Sequence, residues 1–286
     1  MRPQLALLAA CLAGAAALCP ASAPADGPTI GPSGALVDQL WSQNGAADLI
    51  VTKEARTTLV QARSGISRRL LWQTRLDGLW GVPQITQYGD LGGLARGAHT
   101  VVLQQLPDGS ASGRSRFAIL RVTGARVSTR IVALAGWFAF DALSPDARLL
   151  YLVQSVQDPV FSSYRVRVYD LRANRLWRRV IVERGESPSA PMHGVPTARA
   201  TSPRGDWVFT LYIGSEGRSF IHALNASTAT ARCIDLPWRG TYPAYRVSAY
   251  VDKTHLTLTD ERNGRLAGID LKTWRVTSTI DPTRAS

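Results

Sequence analysis

The chain has 286 residues, of which 45% are hydrophobic, and a formal charge of +12. That apolar content suffices for a packed core, so intrinsic disorder is not expected, and the length allows one large domain or two small ones. The charge is carried by arginine, because Lys53, Lys253 and Lys272 are the only lysines; it is scattered, without a run of five or six like charges or a recognisable nucleic-acid module, and no nucleic-acid partner is expected.

At the N-terminus, Arg2 precedes an apolar stretch from Leu5 to Leu18 that is too short to span a bilayer. Ala23-Pro-Ala25 then supplies small residues for cleavage. Residues 1–25 are therefore expected to be a secretory signal peptide, leaving a secreted or extracytoplasmic protein of the cell envelope. A lipobox at Leu8-Ala-Ala-Cys11 is the rival reading. No later segment is apolar for long enough to serve as a transmembrane anchor. Residues 26–40 read as a linker, 41–281 as a single domain and 282–286 as a tail. Cys11 and Cys19 leave with the signal peptide. Cys233 then lacks a partner and reads as a small buried apolar residue, so neither a disulfide nor a cysteine-based metal site is expected.

After Trp41 the chain breaks into short β-rich runs: Asp48–Thr52, Thr57–Gln61 and Arg69–Leu76, then Val82–Thr86, Thr100–Gln104, Phe117–Val122 and Val127–Leu134. Trp137–Pro145 opens the next group, followed by Leu149–Val153, Tyr164–Leu171 and Arg178–Val182. Trp207–Tyr212, Phe220–Leu224 and Ala231–Leu236 form another, and Arg246–Val251, His255–Thr259, Leu266–Leu271 and Arg275–Ile280 the last. Polar residues take nearly every second place in Tyr164-Arg-Val-Arg-Val-Tyr, the period of a half-buried strand.

Two turns punctuate these runs in the same way: Ala142-Leu-Ser-Pro-Asp-Ala-Arg and Ala200-Thr-Ser-Pro-Arg-Gly-Asp. Ala95-Arg-Gly-Ala-His holds the same place upstream, and a fourth turn is expected near Tyr250. The spacing is roughly 50 residues, within the range of propeller blades. Each unit reads as turn, strand, loop, a strand ending in Asp-Leu or similar, turn, strand. The fold is therefore expected to be all-β, a β-propeller of about five four-stranded blades, or six if the N-terminal strands form one of their own. A β-sandwich is the alternative.

Ser144-Pro-Asp-Ala-Arg-Leu-Leu-Tyr-Leu, Tyr169-Asp-Leu and Ser202-Pro-Arg-Gly-Asp-Trp-Val-Phe resemble the repeats of bacterial YVTN and WD-repeat-like, or TolB-like, propellers. The chain departs from their wording at Ala147 and Asp206, and at Ala173-Asn174 and Ala226-Ser227 in place of a Thr-Gly turn. The run from Met192-His-Gly-Val-Pro to Cys233-Ile-Asp-Leu-Pro-Trp is similar to exported proteins of high-GC bacteria. The resemblance covers most of residues 80–280 and implies the fold; propellers host binding, scaffolding and several chemistries.

Local signatures of catalysis are absent. There is no Gly-x-Ser-x-Gly elbow, no His-Glu-x-x-His, no calcium loop and no phosphate loop. His99, His193, His222 and His255 are scattered, and Glu183 and Glu186 read as solvated loop residues. No catalytic residue, metal or cofactor is expected. One constellation stands out. Superposing the two Ser-Pro turns puts Asp141 and Arg199 at one equivalent position in adjacent blades, at the mouth of the axial channel, on the face that receives the longest loops. A structural inter-blade ion pair and a ligand site are both open readings; in the second, Asp141, Arg199, His193, Asp158 and Tyr164 hold a polar ligand. The expected function is a monomeric, non-enzymatic binding or interaction module for a small polar ligand, glycan or envelope protein. An axial-site hydrolase or lactonase-like enzyme, and a scaffold of an envelope complex with an apolar patch at Pro159, Phe161 and Met192, are the alternatives.

Overall fold

The computed structural model describes residues 30–107, 113–156, 163–214, 218–238, 244–262 and 264–280. The signal-peptide and lipobox readings, Asp158, Pro159, Phe161 and the tail lie outside them. The described residues form successive antiparallel meanders. The first comprises Val37–Trp41, Ala47–Glu54, Thr57–Ser64 and Leu70–Asp77. In the second, Trp80–Gly81 pairs with Thr100–Gln105, followed by Arg114–Thr123 and Arg126–Ala135. The third holds Phe138–Leu143, Leu149–Ser155, Ser163–Asp170 and Arg175–Leu176, with Met192–His193 added beside Ser163–Tyr164. The fourth runs Val195–Thr201, Trp207–Ile213, Ser219–Asn225 and Thr230–Asp235. The fifth runs Val247–Val251, His255–Asp260, Gly264–Asp270 and Arg275–Thr279.

The sequence repeat has a physical cause at both ends of the sheets. At the first turn, the hydroxyls of Ser42, Ser144 and Ser202 accept the backbone N–H groups of Ala47, Leu149 and Trp207 at 2.9, 2.8 and 3.0 Å. Three residues after each turn start the chain enters the left-handed region, at Gly45, Ala98, Ala147 and Gly205. Ser42-Gln-Asn-Gly45 thus belongs to the same series without a proline. In the fifth sheet the turn lies at Asp252–Thr254, where the Asp252 carboxylate accepts the N–H groups of Thr254 and His255. At the end of the third strands, Asp170, Asn225 and Asp270 each accept the N–H groups two and three residues on. Left-handed Asn174, Ala229 and Trp274 then reverse the chain.

Alternation along the strands gives each interior sheet two apolar faces, and burial is distributed between sheets rather than around one centre. Leu49, Val60 and Trp72 meet Val101, Leu103 and Leu120. Val102, Phe117 and Ile119 meet Phe138, Leu150 and Leu152. Tyr151, Val166 and Val168 meet Val208, Leu224 and Ala231. Phe209, Leu211 and Ile221 meet Leu256, Leu258 and Ile269. Sheets stacked face to face in chain order form the β-propeller architecture. Among the described residues no core cluster joins the fifth sheet to the first, and Val37, Trp41, Leu71 and Tyr250 on their outward faces are exposed.

Inside the stretch read as linker, Gly31 and Pro32 pair with Gln84 and Pro83. The Ser33 hydroxyl and the Lys53 ammonium both bond to buried Asp38, at 2.5 and 2.8 Å. The connection after Pro83–Gln84 crosses to the fourth sheet, where the Gln87 N–H donates to the Pro196 carbonyl at 2.8 Å. Among the described residues no helix is long and apolar enough to cross a membrane.

Candidate functional site

The innermost strands of the third and fourth sheets carry the two charges singled out by the turn alignment. The ladder of the third sheet shifts register between Phe140 and Ala142, which leaves Asp141 outside the regular pairing. Such an irregularity re-aims a side chain. Arg199 reaches it from the fourth sheet: Nη1 donates to Asp141 Oδ1 at 2.7 Å, Nη2 donates to the Asp141 carbonyl at 2.6 Å, and Nη1 also donates to Thr210 Oγ1 at 3.2 Å. Both side chains are 7% exposed. The pair bridges adjacent sheets, and the guanidinium supplies the fixed donors that a buried carboxylate requires.

Arg199 is also the inner end of a polar row. Cross-strand register places Arg199 opposite Thr210, Thr210 opposite His222, and His222 opposite Cys233. Direct partners in an antiparallel ladder project to the same face, so this row crosses the fourth sheet on the side packed against the third. Burial pushes the His222 imidazole down to about 4, with Arg199 acting in the same direction. Its Nε2 has no hydrogen-bond partner among the described residues. At the outer end, burial and then the carboxylates of Glu183, Glu186 and Asp235 push the Cys233 thiol up to about 12. Tyr164 and Tyr212 stack at 5.7 Å beside the row, and burial raises both phenols.

A cavity of about 340 Å³ opens where the first four sheets converge. Trp41, Asp90, Arg96 and Thr201 line it together with Asp141 and Arg199. Gly92 is required in its wall, since a Cβ there would come within 2.8 Å of the Phe140 ring. Gln43 fixes the rim by donating to the carbonyls of Thr201 and Ser202 at 3.2 and 2.8 Å. Arg68 lies 5.1 Å from the Trp41 ring centre, and the indole remains 49% exposed.

Of the residues proposed from sequence, Asp141 and Arg199 are in direct contact and line this cavity. Tyr164 is 1% exposed, within the interface of the third and fourth sheets. His193 is exposed and lines a separate hollow with Arg218, Phe220 and Trp238. Met192 packs against the core between the third and fourth sheets instead of contributing an exposed patch. Trp41, Asp90 and Arg96 escaped the sequence reading. Trp41 directly precedes Ser42, so recognising Ser42-Gln-Asn-Gly45 as the first turn of the series is the signal that would have placed it at the mouth.

No protein-family model and no curated protein sequence matches the chain. Among solved structures, the chain is similar to prolyl oligopeptidase B from Galerina marginata, with a TM-score of 0.51 at 13% identity over 84% of this chain and 33% of that one. TolB from Acinetobacter baumannii matches with a TM-score of 0.39 at 15% identity, over 79% of this chain and 55% of that one. A puromycin-hydrolyzing peptidase of Mycobacterium tuberculosis matches with a TM-score of 0.48 at 14% identity, over 84% of this chain and 37% of that one. The chain thus spans about a third of the prolyl oligopeptidase and about half of TolB. At these identities the likeness speaks to the fold.

Proposed function

We propose that this chain is an exported binding propeller whose central cavity takes a small polar ring-bearing ligand of the saccharide type. The observation that carries the reading is the composition of the cavity wall. A half-exposed indole, Trp41, lines the same cavity as an exposed carboxylate, Asp90, and an exposed guanidinium, Arg96. An aromatic face suits the C–H surface of a sugar, and charged donors and acceptors suit its hydroxyls. The volume is in the range of small-molecule sites. Asp141 and Arg199 satisfy one another, so their part is to form a rigid polar wall on which the ligand rests.

The test is a thermal-unfolding screen against neutral mono- and disaccharides, amino sugars and uronates. A ligand at a hundred times its Kd raises stability by about 2.7 kcal/mol, or about 5 °C in a domain of this size. A rise of that order with one sugar class supports the reading; no shift with any class contradicts it.

A further inference from the structure

A second hollow, of about 530 Å³, opens between the fourth and fifth sheets at their turn ends. Its floor is carbon. Trp207 and Phe209 come from the fourth sheet's second strand, and Leu271 and Trp274 from the last reversal of the fifth. The ring centres of Trp207 and Trp274 lie 4.6 Å apart, those of Trp207 and Phe209 6.2 Å, and those of Phe209 and Trp274 6.3 Å. Phe209 is buried, whereas both indoles stay partly open. Trp274 is held in the left-handed region at φ 61°, where the equivalent reversals use Asn174 and Ala229. A side chain of that size is strained there, and the place its ring takes is the wall of the hollow.

The rim is charged. Asp206 and Asp252 are engaged in their own turns: Asp206 accepts the Ser202 hydroxyl at 2.6 Å, and Asp252 accepts the Thr254 and His255 N–H groups at 2.6 and 2.8 Å. Against these two acids stand three cations. Arg204 is 85% exposed and makes only a 3.3 Å pair with Asp206. Lys253 is exposed and has no ion pair among the described residues. Arg232 lies 5.0 Å from the Trp274 ring centre.

We propose that this hollow binds a planar aromatic anion, with the chemistry of an aryl carboxylate. A flat ring matches a floor of tilted rings. A sugar would set hydroxyls against carbon surface, where they lack partners. The volume is in the range of small-molecule sites. At the rim the carboxylate meets Lys253 as a point charge and Arg204 as a fork of donors. A cationic ring is disfavoured, because Arg232 already lies over Trp274 and Lys253 and Arg204 repel it. The hollow shares no lining residue with the central cavity and does not depend on what that cavity binds.

Naphthoate is the probe, with naphthalenemethanol as its neutral isostere and naphthylmethylammonium as its cationic one. Each is titrated calorimetrically into the full-length chain at neutral pH. One naphthoate per chain is expected, bound about tenfold more tightly than the alcohol, with the ammonium weaker still. The double variant Arg204→Gln, Lys253→Gln, at two exposed positions, brings naphthoate to the affinity of the alcohol and leaves the alcohol unchanged. Trp274→Leu keeps apolar bulk and weakens naphthoate and alcohol alike by about tenfold; where that variant does not fold, the exposed double variant carries the test. Trp41→Ala leaves naphthoate binding unchanged, which separates this site from the central cavity. Absence of naphthoate binding, equal affinities for the three probes, an unchanged preference in the double glutamine variant, unchanged affinity in folded Trp274→Leu, or weakened naphthoate binding in Trp41→Ala overturns the proposal.

Discussion

Arg199 holds Asp141 twice, by its carboxylate at 2.7 Å and by its own backbone carbonyl at 2.6 Å. The arginine therefore fixes both the charge and the chain path of a residue that the third sheet's ladder leaves unpaired. Removing one partner of a buried pair strands the other. Arg199→Met is expected to cost about 3 kcal/mol, measured as a lower urea midpoint, and Asp141→Leu added to it is expected to recover much of the loss. A double variant as weak as the single one would show that the carbonyl contact, and not the charge, matters.

The four equivalent first turns offer a matched comparison. Gly45 and Gly205 occupy the left-handed position in two sheets, Ala98 and Ala147 in two others. A Cβ on Gly205 would meet only the flexible end of Gln43, at 3.8 Å, so Gly205→Ala isolates backbone strain. It is expected to cost about 1 kcal/mol, and Ala98→Gly to gain up to about 1 kcal/mol, the glycine's larger unfolded-state entropy offsetting part of the benefit. Chemical denaturation of both variants reads the two signs. Trp274, left-handed at the other turn series, runs the opposite way: it packs on Trp207 at 4.6 Å between ring centres, so Trp274→Gly is expected to destabilise.

Acid sensitivity is written into the third-strand turns. The Arg148 guanidinium, and the N–H groups of Ala173 and Arg172, hold the Asp170 carboxyl below its ordinary value. A carboxyl lowered on folding adds stability above its unfolded pKa of about 3.8, and that share is lost as pH falls through the lower folded value. Asp170→Asn keeps the side-chain acceptor, as Asn225 does in the fourth sheet, and is expected to flatten this part of the acid limb. Arg148 is half exposed, so the difference is below about 1 kcal/mol. Urea midpoints between roughly pH 5 and pH 2.5 would reveal it; parallel curves for the two proteins would contradict it.

The parts of the fold legible in sequence are those set by local chemistry. Ser-Pro at residues 144–145 and 202–203 marks turns whose serine hydroxyl captures a specific N–H, and the Asp of Tyr169-Asp-Leu marks the next reversal. Ser42 and Asp252 perform the same task without the proline, which is why the first turn went unread and the last was placed two residues early. Aligning the two marked turns was enough to bring Asp141 and Arg199 together, because equivalent positions on adjacent blades face one another. Trp41 was missed with the unread first turn that it precedes, and Asp90 and Arg96 were not legible because no local motif marks them as lining the same cavity. Nor was the row from Arg199 to Cys233, which exists only through the register of four strands. Glu183 and Glu186, read as solvated, sit beside Cys233 because a parallel bridge carries their loop back to the fourth sheet.

The proposed binding site is the cavity beside Trp41. Isothermal titration of the wild-type chain and of Trp41→Ala with the saccharide that stabilises the protein most tests it directly. Trp41 is half exposed, so its removal leaves the unfolding midpoint nearly unchanged. One site per wild-type chain is expected, with affinity at least tenfold weaker in the variant, about 1.4 kcal/mol of binding free energy. Equal affinities in the two proteins would contradict it.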